Sequence, residues 1–417
     1  MLQDHGLRRD IVGEMHLRRW PLIEAPLEIY QIVRLCAADA AGADSIPSFR
    51  PGGQPLVAGG NRHLSGELGA DLRFTWERHS EATCLTLFAQ PGTPLIGPAL
   101  AWAEAMPGEV VRATQIVIVA DDATAQPLVD ALGYDPAEVV SCCIGGGARI
   151  WSDFRIGEQG YGRLTVAANG LHPVELGRAV QAVQELGNYR NLALLGLPVA
   201  RGQWSRLDAA DERLRKIGTM LEEGVATDNA MLDELCRLSL EVGSIGSATR
   251  YRLGATAAYA RLVQERLEAL CPTPLRGYAS LTDFAQRRFT PAIRTCEAVA
   301  RRQGELADRS AQLSALLRTR IETHIEDQNA RLLASLESSA ANQLRLQHLV
   351  EGLSSVAITY YAVALIRDLT GGLDAFGVVV NHELLLAVAT PLAFLAVYLF
   401  TRRARSRLFA ERKNQPR

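Results

Sequence analysis

The sequence predicts an α+β N-terminal domain, then an all-α stretch ending in a long stalk helix, then a two-helix C-terminal transmembrane hairpin. Three observations predict it. Strand-like segments crowd into residues 1–170 and vanish after about 173. After Pro291 the chain runs to Val350 with no proline and a single glycine, Gly304. Two apolar runs, 353–369 (LSSVAITYYAVALIRDL) and 384–400 (LLLAVATPLAFLAVYLF), come near the length of a hydrocarbon core. The implied parts are a cytosolic domain at 1–170, a helical domain at 171–289, a stalk at 290–350, a hairpin at 351–401 and a basic tail at 402–417.

Taken in order, residues 25–36 (APLEIYQIVRLC) read as a strand or a short helix, with the strand preferred, and 41–63 as a long loop by its glycine and proline content. Residues 71–79 alternate, with Leu72, Phe74 and Trp76 on one face, and 82–89 (ATCLTLFA) follow closely enough to pair as a hairpin. The β-branched run 110–120 (VVRATQIVIVA) is the strongest strand signal. Three short strands at 139–144, 148–154 and 162–168 follow, with helices near 98–106 and 123–132 between strands. That mixture implies an α+β sheet rather than a regular parallel one. Helices are expected over 173–197, 207–242 and 249–270. Thr290-Pro291 has the form of an N-cap followed by proline at the first helical position. Beyond it Leu306, Leu313, Leu317, Ile321, Ile325, Leu332 and Leu336 recur at spacings near four and seven, an apolar stripe suited to a coiled-coil-like stalk.

In the hairpin, Leu353, Tyr360, Tyr361, Leu384, Pro391 and Phe400 are the anchoring residues, and Arg402 and Arg403 open the cationic flank expected on the cytoplasmic side. Tyr360 and Tyr361 lie near mid-span, where their hydroxyls need a partner helix or water. Arg367 and Asp368 fit best at the interface. The N-terminus has no apolar h-region, so the large N-terminal part and the C-terminus are both expected in the cytosol, at a bacterial inner membrane.

The composition narrows the function classes. A net charge of -2 gives no nucleic-acid signature. Only Lys216 and Lys413 are lysines, so arginine supplies nearly all positive charge, which coding bias in a GC-rich bacterium accounts for. Seven cysteines without a CxxC read as reduced thiols, and the histidines show no HxxxH or HxH spacing. No metal or other cofactor is therefore expected. Gly145-Gly146-Gly147 lacks the lysine and the helix of a P-loop and reads as a tight strand connection.

Glu14, His16 and Arg18 alternate, as do Glu77 and His79, so a carboxylate and an imidazole could share a strand face as an acid–base pair. The competing reading is a structural ion pair, which also covers Asp153 and Arg155. Arg18, Arg78, Asp153 and Arg155 are the ligand-binding candidates.

The stretches Glu14–Arg18, Trp76–His79, Ser152–Arg155, Gly177–Gln181, Asn188–Arg201, Arg294–Arg302, Gln343–Gln347 and Glu351–Tyr361 carry a resemblance. Through them the chain resembles a bacterial family of membrane-anchored proteins known only as a domain of unknown function. It departs from that pattern at Arg19, where the family usually has proline, and at Leu186-Gly187-Asn188. The resemblance implies membrane anchoring and supplies no reaction. In architecture alone the chain is similar to the CorA class of divalent-cation channels. It has 370–374 (TGGLD) where that class has its Gly-Met-Asn signature. Three functions follow as expectations: a self-associating scaffold or sensor on the lipid bilayer with an unknown protein partner, an oligomeric conduit, and a tethered enzyme using Glu14, His16, Glu77 and His79. The first is preferred, as no GxSxG elbow or dinucleotide fingerprint is present.

Overall fold

A computed structural model describes residues 5–8, 11–12, 21–36, 62–224, 227–374 and 382–412, of which 371–374, 382 and 404–412 are described by backbone alone. Glu14, His16 and Arg18 lie outside the described residues, as does nearly all of the expected loop at 41–63. The chain divides into two units, Met1–Ala315 and Leu316–Arg417.

The first unit is built on one nine-stranded sheet. Its strands are β1 Leu27–Leu35, β2 His63–Gly69, β3 Leu72–Arg78, β4 Ala82–Ala89, β5 Glu109–Val119, β6 Val140–Ile144, β7 Ala148–Ser152, β8 Gly162–Ala167 and β9 Thr273–Pro274. They lie side by side as β2-β3-β4-β1-β5-β8-β7-β6-β9. Among the named strands only β5 and β8 pair in parallel, and the other strand pairings are antiparallel. This is the α+β sheet the sequence predicts. The triple glycine closes the β6–β7 hairpin, with Gly147 N–H donating to the Ile144 carbonyl at 3.1 Å. Gly145 and Gly146 take φ of 57° and 88°, which side chains with a Cβ resist.

Period-two alternation separates the two faces. Leu27 and Ile29 of β1 join Ile116 and Ile118 of β5 in a core covered by helices α3 Pro173–Leu194 and α6 Asp228–Leu270. Ile32, Phe74, Trp76, Leu85 and Leu87 point the other way, against α1 Ile96–Glu104. Arg34 crosses to that side and donates to the carbonyls of Ala103 and Glu104, both at 3.0 Å, so a cation caps the end of α1. Helix α2, Asp122–Ala131, begins with Asp121 accepting from Thr124 N–H. The position near 170 thus marks a change of secondary structure and not of packing, because α3, α6 and β9 all lie on the sheet.

Short α4 Gly196–Arg201 and α5 Trp204–Glu223 precede α6. The break expected between 242 and 249 is absent: α6 is one helix of 43 residues. The break falls instead after Gly224, whose φ of 66° is the left-handed stop that glycine permits.

The helix expected to start at Pro291 starts ten residues earlier. Ser280 caps α7 Leu281–Phe284 in a reciprocal capping box with Asp283. A π turn, Ala285–Phe289, then leads into α8 Thr290–Asp374, 85 residues long. Pro291 has no N–H to offer the preceding turn, and the π turn accommodates it without ending the helix. Ile293, Cys296, Val299 and Leu306 of α8 are buried in the first unit. In the second unit α8 continues through 370–374, the stretch expected as a loop, and α9 His382–Arg412 follows.

All seven cysteines are free thiols. Burial pushes Cys84 up to about 12 and Cys142 up to about 11, whereas Cys236 and Cys271 are exposed. Iodoacetamide at neutral pH should therefore label Cys236 and Cys271 first and Cys84 and Cys142 only after denaturation, read by peptide mass spectrometry. Equal labelling of all four in the native protein would show that this core is not closed.

Candidate functional site

The Glu77–His79 pair predicted from alternation does form, and a third residue joins it. Pairing of β2 with β3 sets His63 opposite Glu77, with His63 Nδ1 3.4 Å from Oε1. His79 Nε2 lies 3.8 Å from Oε2. All three are partly exposed. Both separations exceed the 2.6–3.2 Å or so that proton transfer needs. The geometry is that of an ion-pair cluster near the sheet edge. Arg78 ends β3, its backbone N–H bonded to the Arg62 carbonyl.

Glu77 and His79 line a cavity of about 200 Å³, with Cys84, Glu185, Tyr189 and Tyr259 among its walls. Tyr189 and Tyr259 stack with ring centroids 6.0 Å apart. Burial, then the charge of Glu185, pushes Tyr189 up to about 12. Burial, then Glu81, raises Tyr259 as well. Both phenols stay protonated at neutral pH; the Tyr259 hydroxyl is engaged with Glu81, which leaves that of Tyr189 to donate into this acidic cavity.

Asp153 and Arg155 do not pair through their side chains as expected. Strand β7 stops at Ser152 and Phe154 takes φ of 54°, which breaks the alternation that would align them. Asp153 Oδ1 instead accepts the Arg155 backbone N–H at 3.0 Å, while the Arg155 guanidinium pairs with Glu138.

Beside the acidic cavity is a buried polar group that the sequence reading missed. Arg112 stands in the apolar strand β5, and its side chain passes under α3. There its Nη1 donates to Gln31 Oε1 at 3.0 Å, Gln184 Oε1 at 2.7 Å and Asn188 Oδ1 at 2.7 Å. A guanidinium only donates, so all three amides turn their oxygens toward it. Gln31 passes the network on to Thr86 at 3.0 Å, and Thr114 donates to Gln184 at 3.1 Å. Gly187 makes the approach possible, because a Cβ there would lie 2.6 Å from the guanidinium. Burial, then the like charge of Arg190, lowers Arg112 to about 9. It remains a cation at neutral pH whose acceptors here are uncharged amides.

One sequence signal could have found this group. Arg112, Gln31 and the Gln184/Asn188 pair are polar residues inside otherwise apolar strand and helix faces. Arg112 lies 72 to 81 residues from the three amides it binds.

In the second unit the residues expected to anchor the chain sit on two helices long and apolar enough, by length and composition, to cross a membrane. One includes Leu353, Tyr360 and Tyr361 and reaches a mean hydropathy of 1.6; the other, Glu383–Arg403, reaches 2.2. Leu353, Tyr360, Tyr361, Leu384 and Phe400 are exposed. Pro391 lies inside α9 without ending it, and Arg402 and Arg403 are exposed at its basic flank.

Residues 3–408 match the family described as protein of unknown function (DUF3422). The chain belongs to this family. The match spans both the sheet-based unit and the apolar helices, so the family is defined by their combination. No curated protein and no solved structure matches the chain.

Proposed function

We propose that this protein is a membrane-anchored, self-associating scaffold or sensor. It presents Met1–Ala315 on the cytosolic side of a bacterial inner membrane, with its C-terminus on the same side. The observation that carries the reading is the pair of apolar helical windows whose large side chains are uncovered, from Leu353 to Leu369 and from Leu384 to Phe400. Water is a poor solvent for such a surface and lipid a good one. A hairpin of the two spans leaves Arg402 and Arg403 at the cytoplasmic headgroups. Ile325, Leu332 and Leu336, exposed on α8, supply an apolar stripe by which copies of the helix can associate.

Alkaline carbonate extraction of membranes tests the anchor. The full chain is expected in the pellet, and a variant truncated after Val350 in the supernatant. Release of the full chain by carbonate would overturn the reading. Light scattering of the detergent-solubilised protein, corrected for bound detergent, tests self-association, which a monomer would refute. A ring-sized oligomer that passes cations in liposomes would favour the conduit over the scaffold.

A further inference from the structure

A second cavity, of about 130 Å³, lies on the α3 side of the sheet, next to the Arg112 network. Four arginines line it, Arg112, Arg155, Arg163 and Arg190, and no carboxylate is among its lining residues. Among the described residues, only Arg155 of the four has a carboxylate partner at hand, Glu138. The two deepest guanidiniums matter most. Arg112 is 9% exposed and spends its Nη1 on three neutral amides. Arg190 is held in place by aromatic rings, its guanidinium carbon 4.8 Å from the Phe154 centroid and 5.2 Å from that of Phe284. Those rings themselves pack 4.6 Å apart. The rings fix the guanidinium but take none of its in-plane hydrogen bonds. Arg190 Nη1 is shielded from solvent and has no hydrogen-bond partner among the described residues, where Nε reaches only Asn191, at 3.4 Å.

Buried charge is tolerated when it is paired, and here a buried cation, Arg112, and a half-buried one, Arg190, face one cavity with no anion between them among the described residues. Burial lowers Arg190 to about 10, and the charge of Arg190 adds to the burial that depresses Arg112. A water molecule at Nη1 would satisfy one donor and leave both charges uncompensated. An oxyanion would satisfy the donor and the charges together, in the geometry guanidiniums fit best.

We propose that this cavity is a binding site for a small oxyanion, a phosphate or carboxylate group, held by Arg112 and Arg190. Gly187 belongs to the site by leaving room for Arg112 against α3. The site lies wholly within Met1–Ala315, so it stands whether or not the membrane reading does.

The test is thermal unfolding of the full chain in mild detergent, followed by tryptophan fluorescence. Inorganic phosphate, sulfate and succinate are titrated against chloride at matched ionic strength. At least one of the three should raise the midpoint saturably above chloride, and which one does so separates phosphate from carboxylate chemistry. Arg190→Met fills the same space without the orphaned donor. It should weaken that ligand about tenfold to a hundredfold, the loss of one charge-assisted pair. Arg112→Gln should do the same, and Arg301→Met, at an exposed position on α8, should change nothing. If Arg112→Gln does not fold, Arg190→Met still decides. The proposal is overturned if no oxyanion stabilises the protein beyond chloride, or if Arg190→Met binds as tightly as the parent.

Discussion

Replacing Arg252 by methionine is expected to cost about 3 kcal/mol of stability, the low end of what breaking a buried ion pair costs. Arg252, on α6, grips Glu81 as a fork, with Nη1–Oε1 at 3.1 Å and Nη2–Oε2 at 2.6 Å. Glu81 sits in the turn between β3 and β4 and is 7% exposed, while the Arg252 side chain is 20% exposed. Without the arginine, a carboxylate stays in the interior with only the Tyr251 hydroxyl at 3.4 Å and the Tyr259 phenol for company. The loss thus comes mostly from the stranded charge and less from the missing attraction. A cycle separates the two. Glu81→Gln with Arg252→Met should recover most of the loss, because neither partner is then a buried ion. The measurement is the shift of the urea midpoint at unchanged slope. A wild-type midpoint for Arg252→Met would mean that Glu81 is solvated after all.

The second large effect is expected at Gly196→Ala. Where α4 begins, Gly196 faces α6 so closely that a Cβ would lie 2.1 Å from Thr256 Oγ1 and 3.1 Å from Thr256 Cβ. Thr256 is 1% exposed and its hydroxyl donates to the Ala193 carbonyl at 2.9 Å. The added methyl must push the helices apart or rotate the threonine off its bond. Overpacking costs about 1–3 kcal/mol, and an orphaned buried acceptor adds a similar amount. A total near 3 kcal/mol is expected. Gly196→Ala combined with Thr256→Ala removes the clashing hydroxyl and should regain part of the loss. Additive losses in the double variant would show that the two positions do not touch.

Much of the fold was legible because local pattern carried it. The β-branched run that becomes β5, the alternation of Leu72, Phe74 and Trp76, and the glycine turn after Ile144 each state their structure in a few residues. The start of the long helix was misread because Thr290-Pro291 has the local form of an N-cap. The π turn that carries the helix past Pro291 depends on packing around Phe289 and Leu281, both buried. The site divides in the same way. Glu77 and His79 are two residues apart and visible, whereas His63 joins them only through the pairing of β2 with β3. Arg112 and Arg190 belong to different elements, and their arginines were discounted as composition. No pattern within either element says that they share a cavity.

Strand β9 sets a timetable for synthesis. It is only Thr273–Pro274, yet together with a single bridge from Ala279 to Val140 it covers the side of β6 away from β7. Strand β6, VSCCI, is almost wholly apolar, and about 130 residues separate its end from Pro274. At about 5–20 residues per second, a ribosome leaves that edge bare for about 5–20 seconds after the rest of the sheet, which ends at Ala167, has emerged. A bare apolar edge invites pairing with another nascent chain. The β6 edge is the place where a folding helper on the ribosome would matter most to this protein.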